Sequence, residues 1–243
     1  MSLSATSPEA ANLPEPETVR VRWPKTHRIV RSIYPPIDLF EDIADPADWE
    51  LIAAGEAKTN PRVRDLVGAI RLIPVERRVS GPGASWAMAP FVHISPSRTS
   101  RFADGSFGAY YAGDRFEVAL YETVHHFQRF MAATAEPPGS ADFRELVGSI
   151  DARLHDLRAD PRFAACLDPD DYAPGQALAR RLRAAGSDGI VYPSVRHPAG
   201  EAVAAFWPDI AGAPVQARHL CYRWNGARAD AYLVYGEEDW NPL

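Results

Sequence analysis

Arg28, Arg31, Arg101, Tyr111, Glu122 and Ser194 are the side chains of this sequence whose types and order could do chemistry together. A guanidinium is a planar fork that grips phosphate or carboxylate oxygens at two points, so arginines on separate elements can hold an anionic ligand. A single arginine taken alone more often ends in a surface salt bridge, and only a set makes a site. Glu122 can stabilise positive charge that develops on a bound ligand or act as a general base, although a lone helical glutamate is as readily a solvated side chain. Tyr111 offers an aromatic face to a cation or packs in a core. Ser194 can bond to Glu122, to a ligand hydroxyl or only to its own turn.

Several other chemistries lack their residues. No HExxH, GxSxG or CxxC pattern occurs, which sets aside zinc-protease, α/β-hydrolase and thioredoxin-like readings. Glu122-x-x-His125 has a spacing used in di-iron bundles but has no second such pair, so no metal is expected. Neither glycine-rich nucleotide fingerprint, GxGxxG or GxxxxGK[ST], is present. A nucleotide would therefore have to be held by side chains instead.

The elements that must position these residues are legible as periods. Residues 19–34 alternate apolar and basic side chains, the period of a half-exposed strand with Arg28 and Arg31 near its end. Asp38 to Ala57 suggests two short helices, the second capped by Asp45 with Pro46 at its first position. Between Leu72 and Ser106, Gly81-Pro82-Gly83 and scattered Ser and Pro surround a strand expected at Trp86 to Ile94, in a segment that suits a long functional loop. Ala109 to Ala112 reads as a strand ending at Gly113.

The next helix is expected to be capped by Asp114 with Glu117 three residues on, and Phe116, Ala119, Leu120, Thr123, Val124, Phe127 and Met131 form its apolar stripe. Glu122 falls off that stripe, on an edge shared with His126 and Arg129, where a carboxylate can border a cleft. Farther on, a strand at Glu145 to Ile150, a helix from Pro174 to Ala185 stopped by Gly186 and a strand from Asp188 to Val195 are expected. Glu201 to Trp207 and a hairpin of His219 to Trp224 with Ala231 to Tyr235 around Asn225-Gly226 complete the chain. Strands and helices do not alternate regularly, so the expected class is mixed α+β.

Composition narrows the partners. At 243 residues the chain suits one domain over 19–243 behind a disordered arm, residues 1–18, rich in Ala, Ser, Pro and Glu. No apolar run approaches the roughly 20 residues needed to span a bilayer, and the arm lacks the features of a secretory signal, so no membrane and a cytoplasmic address are expected. Cys166 and Cys221 are expected as reduced thiols. The net charge of −6 disfavours a broad grip on nucleic acid. Lys25 and Lys58 are the only lysines, which leaves nearly all cationic chemistry to arginine.

The ordered set Arg28, Arg101-Phe102, Gly105-x-x-Gly108-x-Tyr110-Tyr111, Glu122 and Pro193-Ser194 resembles the RES family, named for an Arg, a Glu and a Ser. Arg28 in His27-Arg28-Ile29 matches the first arginine of that family, Tyr111 its strand tyrosine, Glu122 its helix glutamate and Ser194 its late serine. Gln176 matches a further polar position. Arg101 or the nearby Arg98 matches the second arginine; Phe102-Ala103 stands where many members have Trp-Asn. The resemblance covers about residues 26–235.

It implies a fold like that of ADP-ribosyltransferases, with a central split β-sheet flanked by helices. It also implies a toxin of a toxin–antitoxin pair that consumes NAD as substrate, by hydrolysis, phosphorolysis or transfer of ADP-ribose to a protein target. An antitoxin with a helix-turn-helix (Xre-like) domain is the implied partner, and any contact with DNA would fall to that antitoxin. Under this resemblance Glu122 and Arg28 are catalytic, and Arg28, Arg31, Arg101, Tyr111 and Ser194 bind NAD. A domain of the same fold that binds NAD or a partner without turnover is the alternative, motivated by the altered segment after Arg101.

Overall fold

The computed structural model describes residues 13–33, 45–56, 68–96 and 99–243. They form a mixed α+β structure around one sheet of eight strands: β1 (Thr18–Arg31), β2 (Tyr110–Gly113), β3 (Gly139–Asp156), β4 (Gly189–Pro193), β5 (Glu201–Ala205), β6 (Val215–Trp224), β7 (Ala229–Val234) and β8 (Asn241–Pro242). The helices are α1 (Trp49–Glu56), α2 (Ala84–Val92), α3 (Phe116–Ala133) and α4 (Ala173–Ala184).

The long strand β3 organises the sheet. One of its edges takes β1 almost end to end, from Thr18 opposite His155 to Arg31 opposite Phe143. The other edge is shared: β6 pairs antiparallel with residues 139–147, and β4 pairs parallel at His155 and Asp156. The register of β1 shifts between Trp23 and Thr26, where Pro24 has no N–H to give the ladder. Beyond β3, β4 pairs with β5 and β5 with β2, and β2 touches β1 through the single pair His27 and Gly113. The strand pairings thus close a circuit that is barely joined between β1 and β2, and a cleft opens there.

Three apolar clusters hold the helices to the sheet. Phe116, Leu120, Val124 and Phe127 of α3 pack on Phe143, Tyr222 and Trp224. Leu178, Ala179 and Leu182 of α4 pack on Ile190, Ala204 and Phe206 together with Phe102. Ala87, Met88 and Phe91 of α2 cover Leu154, Val203 and Tyr110.

The helix α2 corrects the strand expected at Trp86 to Ile94. Its buried residues, Ala84, Ala87, Met88, Phe91 and Val92, recur at helical spacing, and Pro90 falls in the last turn, where one lost backbone bond is tolerated. Gly83 precedes it at φ 85°, a backbone angle that favours glycine.

Other expectations shift by a residue or a role. Arg115, not Asp114, occupies the cap position of α3, in extended conformation and without a side-chain capping bond. Asp114 instead accepts from the Glu201 N–H at 3.0 Å and from Arg115, which ties the start of the helix to β5. The strand expected at Glu145 to Ile150 is the middle of the far longer β3. Of the two helices expected at Asp38 to Ala57, the second is α1, preceded by a turn in which Asp45 accepts from the Ala47 N–H; the first lies outside the described residues.

Residues 13–17, which the sequence reading assigns to the arm, are described and in contact with the fold. Leu13 packs against the cluster around α4, the Pro14 carbonyl accepts from Arg181, and the Pro16 carbonyl bonds to His155 Nδ1. Cys166 and Cys221 are both free and buried. No helix among the described residues is long and apolar enough to cross a membrane.

Gly108 lets the entry to β2 pass close over α2: a Cβ there would lie 1.9 Å from the Pro90 carbonyl oxygen. The Gly105-x-x-Gly108 segment is thus a packing device ahead of Tyr110 and Tyr111. Gly108→Ala is expected to destabilise the protein by about 1–3 kcal/mol, as overpacking does, measured by urea denaturation of both proteins.

Candidate active site

A cavity of about 290 Å³ opens at the weak junction of β1 and β2, close to the low end of the roughly 300–1,000 Å³ typical of small-molecule pockets. Arg28, Arg101, Tyr111 and Glu122, four residues from four separate segments of chain, line it. Ser194 stands behind Glu122.

Arg28 comes from β1. Its guanidinium donates to the Tyr111 carbonyl at 2.9 Å and lies over the Tyr110 ring, 4.8 Å from the centroid. Burial pulls its pKa below the usual arginine value, with Tyr110 and Tyr111 opposing, yet an arginine stays charged.

Arg101 sits at the tip of a tight turn closed by Ser100 and Ala103, which exchange backbone bonds. Its guanidinium donates to the carbonyls of Cys166 and Asp168 at 3.2 and 2.5 Å and covers the Tyr172 ring at 4.9 Å. Carbonyls and ring faces hold both guanidinium groups. Among the described residues, neither is in an ion pair.

The turn itself is locked by Tyr111. The tyrosine hydroxyl accepts from the Phe102 N–H at 2.9 Å and shares a 2.8 Å bond with Ser100 Oγ, and burial raises its pKa to about 12. Gln176 Nε2 donates to the Ser100 carbonyl. Gly175 lets α4 approach, since a Cβ there would lie 2.6 Å from the Arg101 carbonyl oxygen. Phe102 is fully buried and meets Tyr192 edge-on at 4.9 Å. The Phe102-Ala103 departure is therefore a matter of core packing beneath Arg101. Arg98, the alternative second arginine, lies outside the described residues.

Glu122 projects from the edge of α3, as its helical phase suggests. Its Oε1 accepts from Ser194 Oγ at 3.2 Å, and Ser194 Oγ accepts in turn from the His197 N–H at 3.1 Å. Burial raises the Glu122 pKa, while the Ser194 bond and the charges of Arg101 and Arg196 oppose the rise. The surrounding corner is electropositive. His125 is pushed down to about 4 by burial first and then by Arg196, and His126 is lowered by burial first and then by Arg129 and Arg196.

Arg31 is not brought to the cavity. Its guanidinium lies 5.7 Å from the ring centroid of Phe130, in the last turns of α3 and away from the residues that line the cavity. His27, Ser100, Tyr172 and Tyr192 line the cavity but were not singled out by sequence. His27 beside Arg28, Ser100 beside Arg101 and Tyr192 beside Pro193-Ser194 each adjoin a residue of the motif set, whereas Tyr172 adjoins none. Among the described residues, no cluster of His, Cys, Asp and Glu could hold a metal ion.

The cavity thus brings two arginines and one glutamate together from separate segments of the chain. A family model described as the RES domain matches residues 75–225, well over half of the sequence, and the chain belongs to that family. An uncharacterised protein of Sinorhizobium fredii (strain NBRC 101917 / NGR234), y4oC, is 29% identical over 214 residues, which span 88% of this chain and 87% of that one. A chain of the M. tuberculosis MbcT–MbcA toxin–antitoxin complex aligns over 92% of this chain and 96% of its own, with 12% identity and a TM-score of 0.46.

A carboxyl whose pKa is raised in the folded state costs stability once it ionises, so its effect is absent in acid and grows as pH rises through the folded pKa. Glu122→Gln, which keeps an acceptor for Ser194, is expected to melt higher than the parent at neutral pH. The two melting temperatures should converge as the pH falls below the carboxylate range, a comparison readable by thermal denaturation across pH.

Proposed function

We propose that this chain is an NAD-cleaving enzyme, the toxin member of a toxin–antitoxin pair. The observation that carries the reading is that Arg28, Arg101 and Glu122 face one cavity. NAD brings a pyrophosphate, which suits two guanidinium groups that have no carboxylate of their own among the described residues. It also brings a ribose bound to a cationic nicotinamide. As that bond lengthens, positive charge moves onto the sugar and the bonding electrons neutralise the leaving ring.

A fixed carboxylate then gains interaction energy in the transition state that it lacks in the ground state. Glu122 is the group for this task, held in place by Ser194. Arg28 and Arg101 bind the phosphates, and Tyr111 braces the Arg101 turn. The same donor chemistry serves hydrolysis, phosphorolysis and transfer of ADP-ribose to a protein, which differ only in the attacking group.

Membership of the RES family supports the toxin role, and with it a helix-turn-helix (Xre-like) antitoxin as partner. The alternative of a domain without turnover loses its motive, since Phe102 occupies core space rather than the cavity.

Purified protein incubated with NAD is expected to release nicotinamide. Glu122→Gln should lower the rate about 10²–10⁴-fold while NAD binding, followed by calorimetry, survives. Labelled NAD in cell lysate separates a modified protein from free ADP-ribose. Absence of nicotinamide release with water, phosphate and lysate all supplied would overturn the enzymatic reading, and growth arrest unrelieved by the co-expressed neighbouring gene would overturn the antitoxin.

A further inference from the structure

Glu145 is a carboxylate with 1% of its side chain exposed, in the middle of β3. His27 Nδ1 lies 2.6 Å from its Oε1, and Arg218 of β6 lies 3.5 Å from its Oε2. Burial alone would raise the Glu145 pKa, but the bond to His27 and the Arg218 charge hold it below the usual glutamate value. The group is thus a buried anion. It accepts a proton-bearing Nδ1, which fixes the His27 ring in orientation and tautomer and leaves Nε2 as its remaining polar atom.

His27 keeps only 15% of its side chain exposed and lines the same cavity as Glu122. The two approach it from different walls, β1 and α3. Arg28 follows His27 on β1, and Thr123 and His126 accompany Glu122 on α3. Glu122 is already engaged by Ser194 and faces Arg101 and Arg196.

We propose that His27, positioned by Glu145, is the general base that takes the proton from the acceptor hydroxyl in this cavity, which leaves Glu122 to stabilise the ribosyl cation. The proposal rests on the NAD-cleaving function. In the step, the acceptor oxygen forms a bond to the anomeric carbon while the bond from that carbon to the nicotinamide nitrogen breaks. The bonding electron pair leaves on the nicotinamide ring, and the acceptor proton passes to His27 Nε2. Glu145 acts through His27 and is a positioning residue.

The test compares two acceptors, water and azide, in the full-length protein. Azide has no proton to give up, so it reacts without a base. His27→Asn keeps an amide N–H near the position of Nδ1 for Glu145 and removes Nε2. It is expected to lower water-dependent release of nicotinamide about 10²-fold and to lower the azide reaction far less, so that the ratio of the two rates shifts toward azide. Glu122→Gln should lower both reactions.

Equal loss of both reactions in His27→Asn, or loss of neither, would overturn the base assignment while the NAD-cleaving function stands. A parent protein that releases no nicotinamide with either acceptor would overturn the function and this assignment together.

Discussion

Two arginines kept largely from water, neither in an ion pair among the described residues, are the constraint around which this structure is organised. A buried cation is costly unless its donors are satisfied. Arg28 meets that cost with the Tyr111 carbonyl and the Tyr110 ring, and Arg101 with two carbonyls and the Tyr172 ring. These partners carry partial rather than full negative charge, so both guanidinium groups retain the capacity to bind an anion. A protein of net charge −6 that attracts an anionic ligand needs such local concentration of positive charge.

The sheet makes the arrangement possible. Because β1 follows β3 along its length yet touches β2 at one pair only, the β1–β2 seam stays open, with Arg28 on one lip and Tyr111 on the other. Tyr111 then links three parts of the site: its carbonyl holds Arg28, its hydroxyl holds the Arg101 turn, and its strand leads directly into the helix that carries Glu122. Displacement of this one residue would therefore move every charged group in the cavity.

Much of this was legible in periodicity. The alternation of β1, the stripe of α3 and the Gly186 stop of α4 each follow from local rules, and helical phase placed Glu122 on a cleft-facing edge. Arg31, grouped with Arg28 by residue type, lies against Phe130 because the cavity takes only residues 27–29 of β1. The helix α2 differs from the expected strand because Gly, Pro and Trp obscure an alanine-rich period of helical length.

Long-range register was out of reach. His27 and Glu145 are 118 positions apart and meet only because β1 and β3 align as they do, and no local pattern encodes that alignment. The lock of Tyr111 on the Arg101 turn is hidden for the same reason: spacing identified a tyrosine, whereas its hydroxyl partners depend on how the loop folds back.

The account turns on where a dinucleotide lies relative to three charged groups, and a crystal structure of Glu122→Gln soaked with NAD measures this directly. The expected result places the pyrophosphate against the guanidinium groups of Arg28 and Arg101, with the anomeric carbon of the nicotinamide ribose facing residue 122. A dinucleotide bound elsewhere, or one in the cavity whose phosphates touch neither arginine, would contradict it.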